Sequence, residues 1–281
     1  MKIIRAVSDI IRYREDELQN RQIGFVPTMG ALHQGHISLV DRSVKENNYT
    51  IVSIFINPKQ FNDNNDFLNY PVTIEKDLEL LKKSKCDLVF MPTSQDIYKD
   101  YAGFQMNFDG LDNIYEGEFR PGHFQGVVDI VFRLFDIIKP YNSYFGEKDF
   151  QQLAVIKLMV NKSKQPINVI PCAIVREKSG LAMSSRNERL NAEERENAAV
   201  IYEVLCNIKN TVTKDDSTDL LVSKISKEIN RNSYLKIEYV AFCDPLTLKP
   251  VFSFSANSVV RLCVAVWCGN IRLIDNISLE F

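Results

Sequence analysis

Residues 50–56 read Thr50-Ile51-Val52-Ser53-Ile54-Phe55-Ile56, a β-branched run that is almost wholly apolar. A strand with one wet face alternates polar and apolar residues. A run without alternation suits a strand covered on both faces, as in a parallel sheet with helices above and below. The flanking sequence supplies such elements. Ile23-Gly24-Phe25-Val26 predicts a strand over 23–28, and 35–47 reads as a helix. A further helix over 73–84 carries Ile74, Leu78 and Leu81 on one face, and 87–91 reads as a strand ended by Pro92. Ser8 suits the cap of a first helix that runs to Gln19. The stripe Phe124, Val127, Val131, Leu134, Ile138 marks a helix over 122–139, stopped by Pro140. A short strand at 143–145, a helix at 149–162 and a strand at 167–175, interrupted at Pro171, complete the pattern. Strand and helix in repeated succession predict an α/β fold with an open, mostly parallel sheet.

The pattern changes near residue 176. Helices over 191–210 and 217–231 precede strands over 235–243, 258–267 and 271–275. Helices followed by strands predict a smaller α+β domain. The expected division is therefore 1–175 and 176–281.

Composition narrows the function. A net charge of −2 without a basic block argues against a nucleic-acid partner. The N-terminus, Met1-Lys2-Ile3-Ile4-Arg5, does not read as a signal peptide, and no apolar stretch reaches membrane-spanning length. The six cysteines (86, 172, 206, 243, 263, 268) form no C-x-x-C pair and mostly lie in apolar runs. They read as buried, reduced thiols of a cytoplasmic protein.

Two of the three histidines fall in one tetrapeptide, His33-Gln34-Gly35-His36, after the strand at 23–28 and at the start of a helix. A helix N-terminus offers unpaired N–H groups and the positive end of a dipole, a natural place for phosphate. His33 and His36, three apart, share a helix face, and Gly35 permits close approach to the backbone. A second segment, Phe145-Gly146-Glu147-Lys148-Asp149-Phe150-Gln151-Gln152, again runs from a strand end into a helix start. Lys148 is a mobile cation for phosphate, Asp149 suits an N-cap, and Gln152 projects one turn later toward a polar substrate. A third, Gly180-Leu181-Ala182-Met183-Ser184-Ser185-Arg186-Asn187, places two hydroxyls beside an arginine, a donor cluster apt for phosphate oxygens. A fourth, Asn57-Pro58-Lys59-Gln60-Phe61, follows the apolar run and can read carboxylate and hydroxyl groups. A fifth, Arg120-Pro121-Gly122-His123-Phe124, opens the helix 122–139, where His123 reads as part of a capped helix start.

Together with Pro27-Thr28-Met29-Gly30-Ala31-Leu32 before the histidines, Tyr70-Pro71, and the tail Arg272-Leu273-Ile274-Asp275-Asn276, these segments resemble the pantoate–β-alanine ligases, over essentially the whole chain. The resemblance implies a Rossmann-like nucleotidyltransferase domain with a smaller C-terminal domain acting as a lid. It implies an ATP-dependent condensation of D-pantoate with β-alanine through a pantoyl adenylate, releasing AMP and pyrophosphate. It further implies Mg²⁺ with ATP as co-substrate and a homodimer.

Site roles carry over by motif position. Met29, Gly30, Ala31, Leu32, His33, Gln34, Gly35 and His36 would line the ATP site, with His36 the proton donor and His33 a phosphate contact. Gly146, Glu147, Lys148 and Asp149 would bind the nucleotide, with Lys148 on its phosphates. Val175, Met183, Ser184, Ser185 and Arg186 would complete that site, the last four looking like the mobile K-M-S-K-S segment of class I aminoacyl-tRNA synthetases. Gln60 and Gln152 would hold pantoate, Gln60 also lying near β-alanine, with Asn57 beside that pocket. Two departures stand out. Lys59 adds charge beside Gln60. Lys76 precedes Asp77 where some relatives have consecutive acids, and Asp77 reads as an acid on a helix surface. Three other readings share parts of the pattern. A nucleotidyltransferase acting on a phosphorylated acceptor has no need of Gln60 and Gln152. A tRNA-synthetase fragment should be basic. A nucleotide sensor need not keep His33, His36, Lys148 and Ser184-Ser185-Arg186 all intact.

Overall fold

A computed structural model describes residues 1–281, and the chain divides into two compact units. The larger comprises Met1–Glu147 with Gln151–Ala173, and the smaller comprises Lys148–Phe150 with Ile174–Phe281.

The larger unit starts with β1 (Lys2–Ile4), α1 (Val7–Glu17), β2 (Ile23–Thr28), α2 (Gln34–Glu46) and β3 (Tyr49–Ile54). A 3₁₀ turn (Pro58–Gln60), α3 (Asn64–Leu68), α4 (Ile74–Lys83), β4 (Leu88–Phe90), α5 (Ser94–Ile97) and α6 (Glu116–Phe119) follow. Then come α7 (His123–Ile138), β5 (Asn142–Gly146), a 3₁₀ turn (Glu147–Asp149), α8 (Phe150–Ser163) and β6 (Asn168–Cys172). The six strands form one sheet in the order β1-β4-β3-β2-β5-β6, with every pairing parallel.

The unalternating strands are explained by two cores. Phe25, Ile51, Leu88 and Phe90 point into one, shared with α1, α7 and α8. Their neighbours Val26, Val52, Ile54 and Val89 point into the other, shared with α2 and α4. Strand side chains alternate faces, so both faces must be apolar when both are covered.

The strand order reverses between β2 and β5. From β2 the chain proceeds to β3 and β4 on one side, whereas β5 and β6 lie on the other. In open parallel sheets ligands sit outside the strand carboxyl ends at this reversal. The 29–33 turn leaves β2 there, and Gly146 ends β5 there.

The smaller unit contains a 3₁₀ turn (Ser185–Arg189), α9 (Ala192–Ala198), α10 (Val200–Thr211), α11 (Thr218–Asn230), and the antiparallel strands β7 (Leu235–Cys243), β8 (Val259–Cys268) and β9 (Ile271–Glu280). Helices α10 and α11 bury Leu205, Ile208, Ile225 and Ile229 against Leu262, Val264 and Val266 of β8 in a core of its own.

Several local expectations need correction. Ser8 does not cap α1. Ala6 holds that position without a side-chain bond, and Asp96 accepts the Val7 N–H from a distant part of the chain. The 191–210 helix is two helices meeting at Ala199, the first opened by a reciprocal Asn191–Glu194 capping box. The strand expected over 167–175 ends at Cys172, and Val175 belongs to a separate hairpin. Strand β9 continues to Glu280. Edge strand β1, three residues long, gave no pattern to read. All six cysteines are unpaired, and no helix is long and apolar enough to cross a membrane.

Candidate active site

Beyond Thr28 the chain must turn sharply to start α2. Gly30 and Ala31 both take positive φ, 83° and 49°. That region costs an alanine energy, so something must hold it there. Asp77 does. Its carboxylate accepts the main-chain N–H of Ala31 at 2.9 Å and of Leu32 at 2.8 Å, and the Thr73 hydroxyl at 3.0 Å. Asp77 is completely buried, which overturns the expectation of a surface acid. The signal was present in the sequence. Asp77 lies three residues after Ile74 and four before Leu81, on the apolar stripe of its own helix.

His33 is the N-cap of α2. Its Nδ1 accepts the Gly35 N–H at 3.1 Å, and His36 Nδ1 accepts the His33 N–H at 3.4 Å, closing a reciprocal capping box. The ring centroids lie 4.1 Å apart, with the planes tilted by 37°. Each Nδ1 is thus an acceptor, and a neutral ring accepting there carries its proton on Nε2. For neutral rings the hydrogen-bond pattern at the helix start assigns the Nε2–H tautomer to both.

The 57–60 turn is gripped from three sides. Asn57, 1% exposed, accepts the Lys59 N–H and the Tyr98 hydroxyl, and donates to the Gly126 carbonyl at 3.0 Å. Burial, and secondarily the charge of Asp129, push the Tyr98 phenol upward, so it stays a neutral donor. His123 Nδ1 donates to the Gln60 carbonyl at 2.8 Å while its Nε2 accepts from Arg120 at 3.1 Å. His123 is therefore no cap; Gly122 opens α7, and the imidazole holds the turn. Gly126, one helical turn on, lets the backbones meet. A Cβ there would stand 2.3 Å from the Lys59 carbonyl oxygen. Gln60 Oε1 accepts from Asn57 at 3.3 Å and its Nε2 lies 3.2 Å from Met29 Sδ. Met29 thus touches Gln60 across 31 positions of sequence. The Lys59 ammonium is paired with Asp129 at 2.9 Å and lies 3.8 Å over the Tyr98 ring, so its charge is met there.

On α8, Gln151 is the buried glutamine. It donates to the carbonyls of Leu111 and Ile114 and accepts the Glu116 N–H, pinning that loop. Gln152 is half-buried, and no hydrogen bond joins it to Gln60. Asp149 closes the 3₁₀ turn that leads into α8.

In the smaller unit Lys148 is mostly buried, with Asp149 its nearest carboxylate at 3.9 Å. Val175 accepts the Met183 N–H at 3.0 Å, and Arg176 bridges to Ala182, forming a short hairpin. The hairpin delivers Ser184, whose hydroxyl accepts the Arg186 N–H and caps the 3₁₀ turn. Asn187 ties that turn back to Ala182 and Glu177, and Arg195 pairs with Glu177 through both carboxylate oxygens. Arg176 makes a two-pronged pair with Asp275. Neither Arg176 nor Asp275 was singled out by charge pattern alone, because the pairing spans 99 residues.

These features define a class: a parallel α/β enzyme in which turns rich in N–H groups and cations leave the sheet at its reversal point, the arrangement of enzymes that handle nucleotides. Comparison with known proteins narrows the class. The family model for pantoate-beta-alanine ligase matches residues 2–278. The pantothenate synthetase of Bacteroides fragilis is 44% identical over 279 residues, 99% of each chain. That of a Sulfurihydrogenibium species is 48% identical over 265 residues, 92% of this chain and 93% of its own. The crystal structure of pantothenate synthetase from Thermus thermophilus superimposes with a TM-score of 0.91 at 36% identity, covering 99% of both chains. The Francisella tularensis pantoate-beta-alanine ligase, solved in complex with β-γ ATP and β-alanine, matches with a TM-score of 0.82 at 36% identity, over 99% of this chain and 97% of its own. The chain belongs to the pantoate-beta-alanine ligase family, and it is an enzyme with that family's activity.

Proposed function

We infer that this enzyme condenses D-pantoate with β-alanine in two steps on one ATP. A pantoate carboxylate oxygen forms a bond to the α-phosphorus while the bond from that phosphorus to the bridging oxygen breaks, and pyrophosphate leaves. The neutral amine of β-alanine then bonds to the acyl carbon of the pantoyl adenylate, the acyl–oxygen bond breaks, and AMP leaves with one proton lost from nitrogen. The carrying observation is the paired capping of α2: both imidazoles accept main-chain N–H groups on Nδ1, which assigns the proton of a neutral ring to Nε2. Two fixed N–H donors at a positive helix end suit the charge that develops on phosphoryl oxygens.

Met29–His36, Gly146–Asp149, Val175 and Met183–Arg186 are assigned to ATP, with His36 the proton donor, His33 a phosphate contact and Lys148 a counter-charge for the leaving pyrophosphate. Gln60 and Gln152 are assigned to pantoate, Gln60 also to β-alanine, with Asn57 holding the Gln60 turn. A lid function for 176–281 belongs to the same proposal, since an acyl adenylate must be kept from water. For Mg²⁺, no group of three or more His, Cys, Asp or Glu side chains is arranged to hold a metal. Asp77 has both oxygens engaged by the turn it clamps. In this reading the ion enters with the substrate, chelated by ATP. A cytoplasmic homodimer is proposed with this reading. Sedimentation as two 32.3 kDa chains tests the dimer.

The function is tested by pyrophosphate–ATP isotope exchange. Exchange should require pantoate and proceed without β-alanine. Lys148→Ala and His36→Ala should each reduce it by at least about 100-fold with melting temperature nearly unchanged. Exchange indifferent to pantoate would overturn the reading.

A further inference from the structure

Asp275 and Asn276 are adjacent on β9, and both are buried, at 5% and 3% exposure. Consecutive buried polar residues in a strand are costly unless each is fully partnered. Each holds a different segment. Asp275 accepts two N–H groups of Arg176 at 2.6 and 2.9 Å, together with the Asn276 main-chain N–H at 2.7 Å. Arg176 also donates to the Gly180 carbonyl at 3.1 Å and lies 3.7 Å over the Tyr202 ring. Asn276 Nδ2 donates to the Lys148 carbonyl at 3.0 Å, and its Oδ1 accepts from Arg261 at 3.1 Å. The Arg261 guanidinium in turn covers the Phe150 ring at 4.4 Å.

We propose that Asp275 and Asn276 are positioning residues for adenylation: Asn276 fixes the main chain beneath Lys148, and Asp275 fixes the root of the hairpin that delivers Met183–Arg186. The proposal rests on the assignment of those two segments to ATP. Each segment is short, and each is anchored to β9 at one point, Lys148 by Asn276 and the hairpin by Asp275 through Arg176. Lys148 lies mid-way along a three-residue 3₁₀ turn, and its side chain has only the loose 3.9 Å approach of Asp149. The hairpin from 175 to 183 has one isolated bridge pair, and an isolated hairpin is marginal in water. One rigid strand that grips both sets the spacing of their donors. A misplacement of about 1 Å in such groups costs on the order of 100-fold in rate.

The test uses the full chain. Asn276→Asp keeps the side-chain size and the Arg261 partner but removes the donor to Lys148; Asn276→Ala removes the donor without adding charge. Asp275→Asn weakens the hold on Arg176. Pantoate-dependent pyrophosphate exchange, the KM for β-alanine and thermal melting are measured, with exchange assayed at a temperature where circular dichroism shows each variant folded. All three variants should lower exchange about tenfold or more. The KM for β-alanine should not move. In a Lys148→Ala background the additional loss from Asn276→Ala should fall below about twofold, because the positioned group is gone. Undiminished exchange in the single variants, with Lys148→Ala impaired, would overturn the proposal. An equal loss in both backgrounds would overturn it too, since that marks a general structural role. Full exchange in Lys148→Ala would instead remove the ATP assignment beneath it.

Discussion

The carboxylate of Asp77 accepts the main-chain N–H of Leu32 at 2.8 Å across 45 positions of sequence. With the Ala31 amide on its other oxygen, it closes a turn in which the positive φ of Ala31 would otherwise be strained. Asp77→Asn removes one acceptor and turns an amide N–H toward a main-chain N–H. Equilibrium unfolding should show a loss of about 2–4 kcal/mol. Exchange activity should fall with it, because His33 follows directly on the clamped turn. The Mg²⁺ concentration giving half-maximal activity should stay as in the parent. A shifted metal requirement with full stability would make Asp77 a metal ligand instead.

Helix α7 sets the Gln60 turn through two residues three apart. Gly126→Ala would put a methyl 2.3 Å from the Lys59 carbonyl oxygen, so the turn must shift. His123→Ala removes the donor to the Gln60 carbonyl. Both variants should raise the KM for pantoate by about tenfold with the KM for ATP nearly unchanged. Steady-state kinetics with each substrate varied in turn reads the difference.

Cys86 gives a pH signature. Burial pushes its thiol up to about 12, with the nearby Asp87 charge adding to the effect. In the unfolded chain the thiol ionises near ~8.5. The folded pKa is the higher, so the stabilisation is fully present below the unfolded value and is lost as pH rises toward the folded one. Cys86→Ala should therefore flatten the fall of melting temperature as pH rises through that window, from the unfolded value toward about 12. Iodoacetamide at neutral pH should leave Cys86 unlabelled in the folded chain, and rapid labelling would contradict the burial.

What the sequence revealed and what it hid follow from the range of the interactions. Local periodicity exposed the sheet, since Phe25 and Val26 had to be apolar for two different cores. The start of α2 at the two histidines was legible because turn and helix are contiguous, but the caps that His33 and His36 form there were not read. The partners in the clamps were not legible. The place of Asp77 on the Ile74–Leu81 stripe signalled its burial, but its partners, Ala31 and Leu32, are amides that any residue carries. His123 does stand at the start of α7, as read, but its hold on the Gln60 carbonyl was hidden because that partner is main chain. Ser8 looked like a cap because nothing nearby announces Asp96. Wherever a side chain bonds distant main chain, the sequence shows only one of the two partners.

Oxygen-18 transfer tests the central claim most directly. Pantoate labelled in its carboxylate is turned over with ATP and β-alanine, and the AMP is examined by mass spectrometry. Attack of that carboxylate on the α-phosphorus predicts one labelled oxygen in the phosphate of AMP for each amide formed. Unlabelled AMP, or label in inorganic phosphate released from ATP, would contradict an adenylate route.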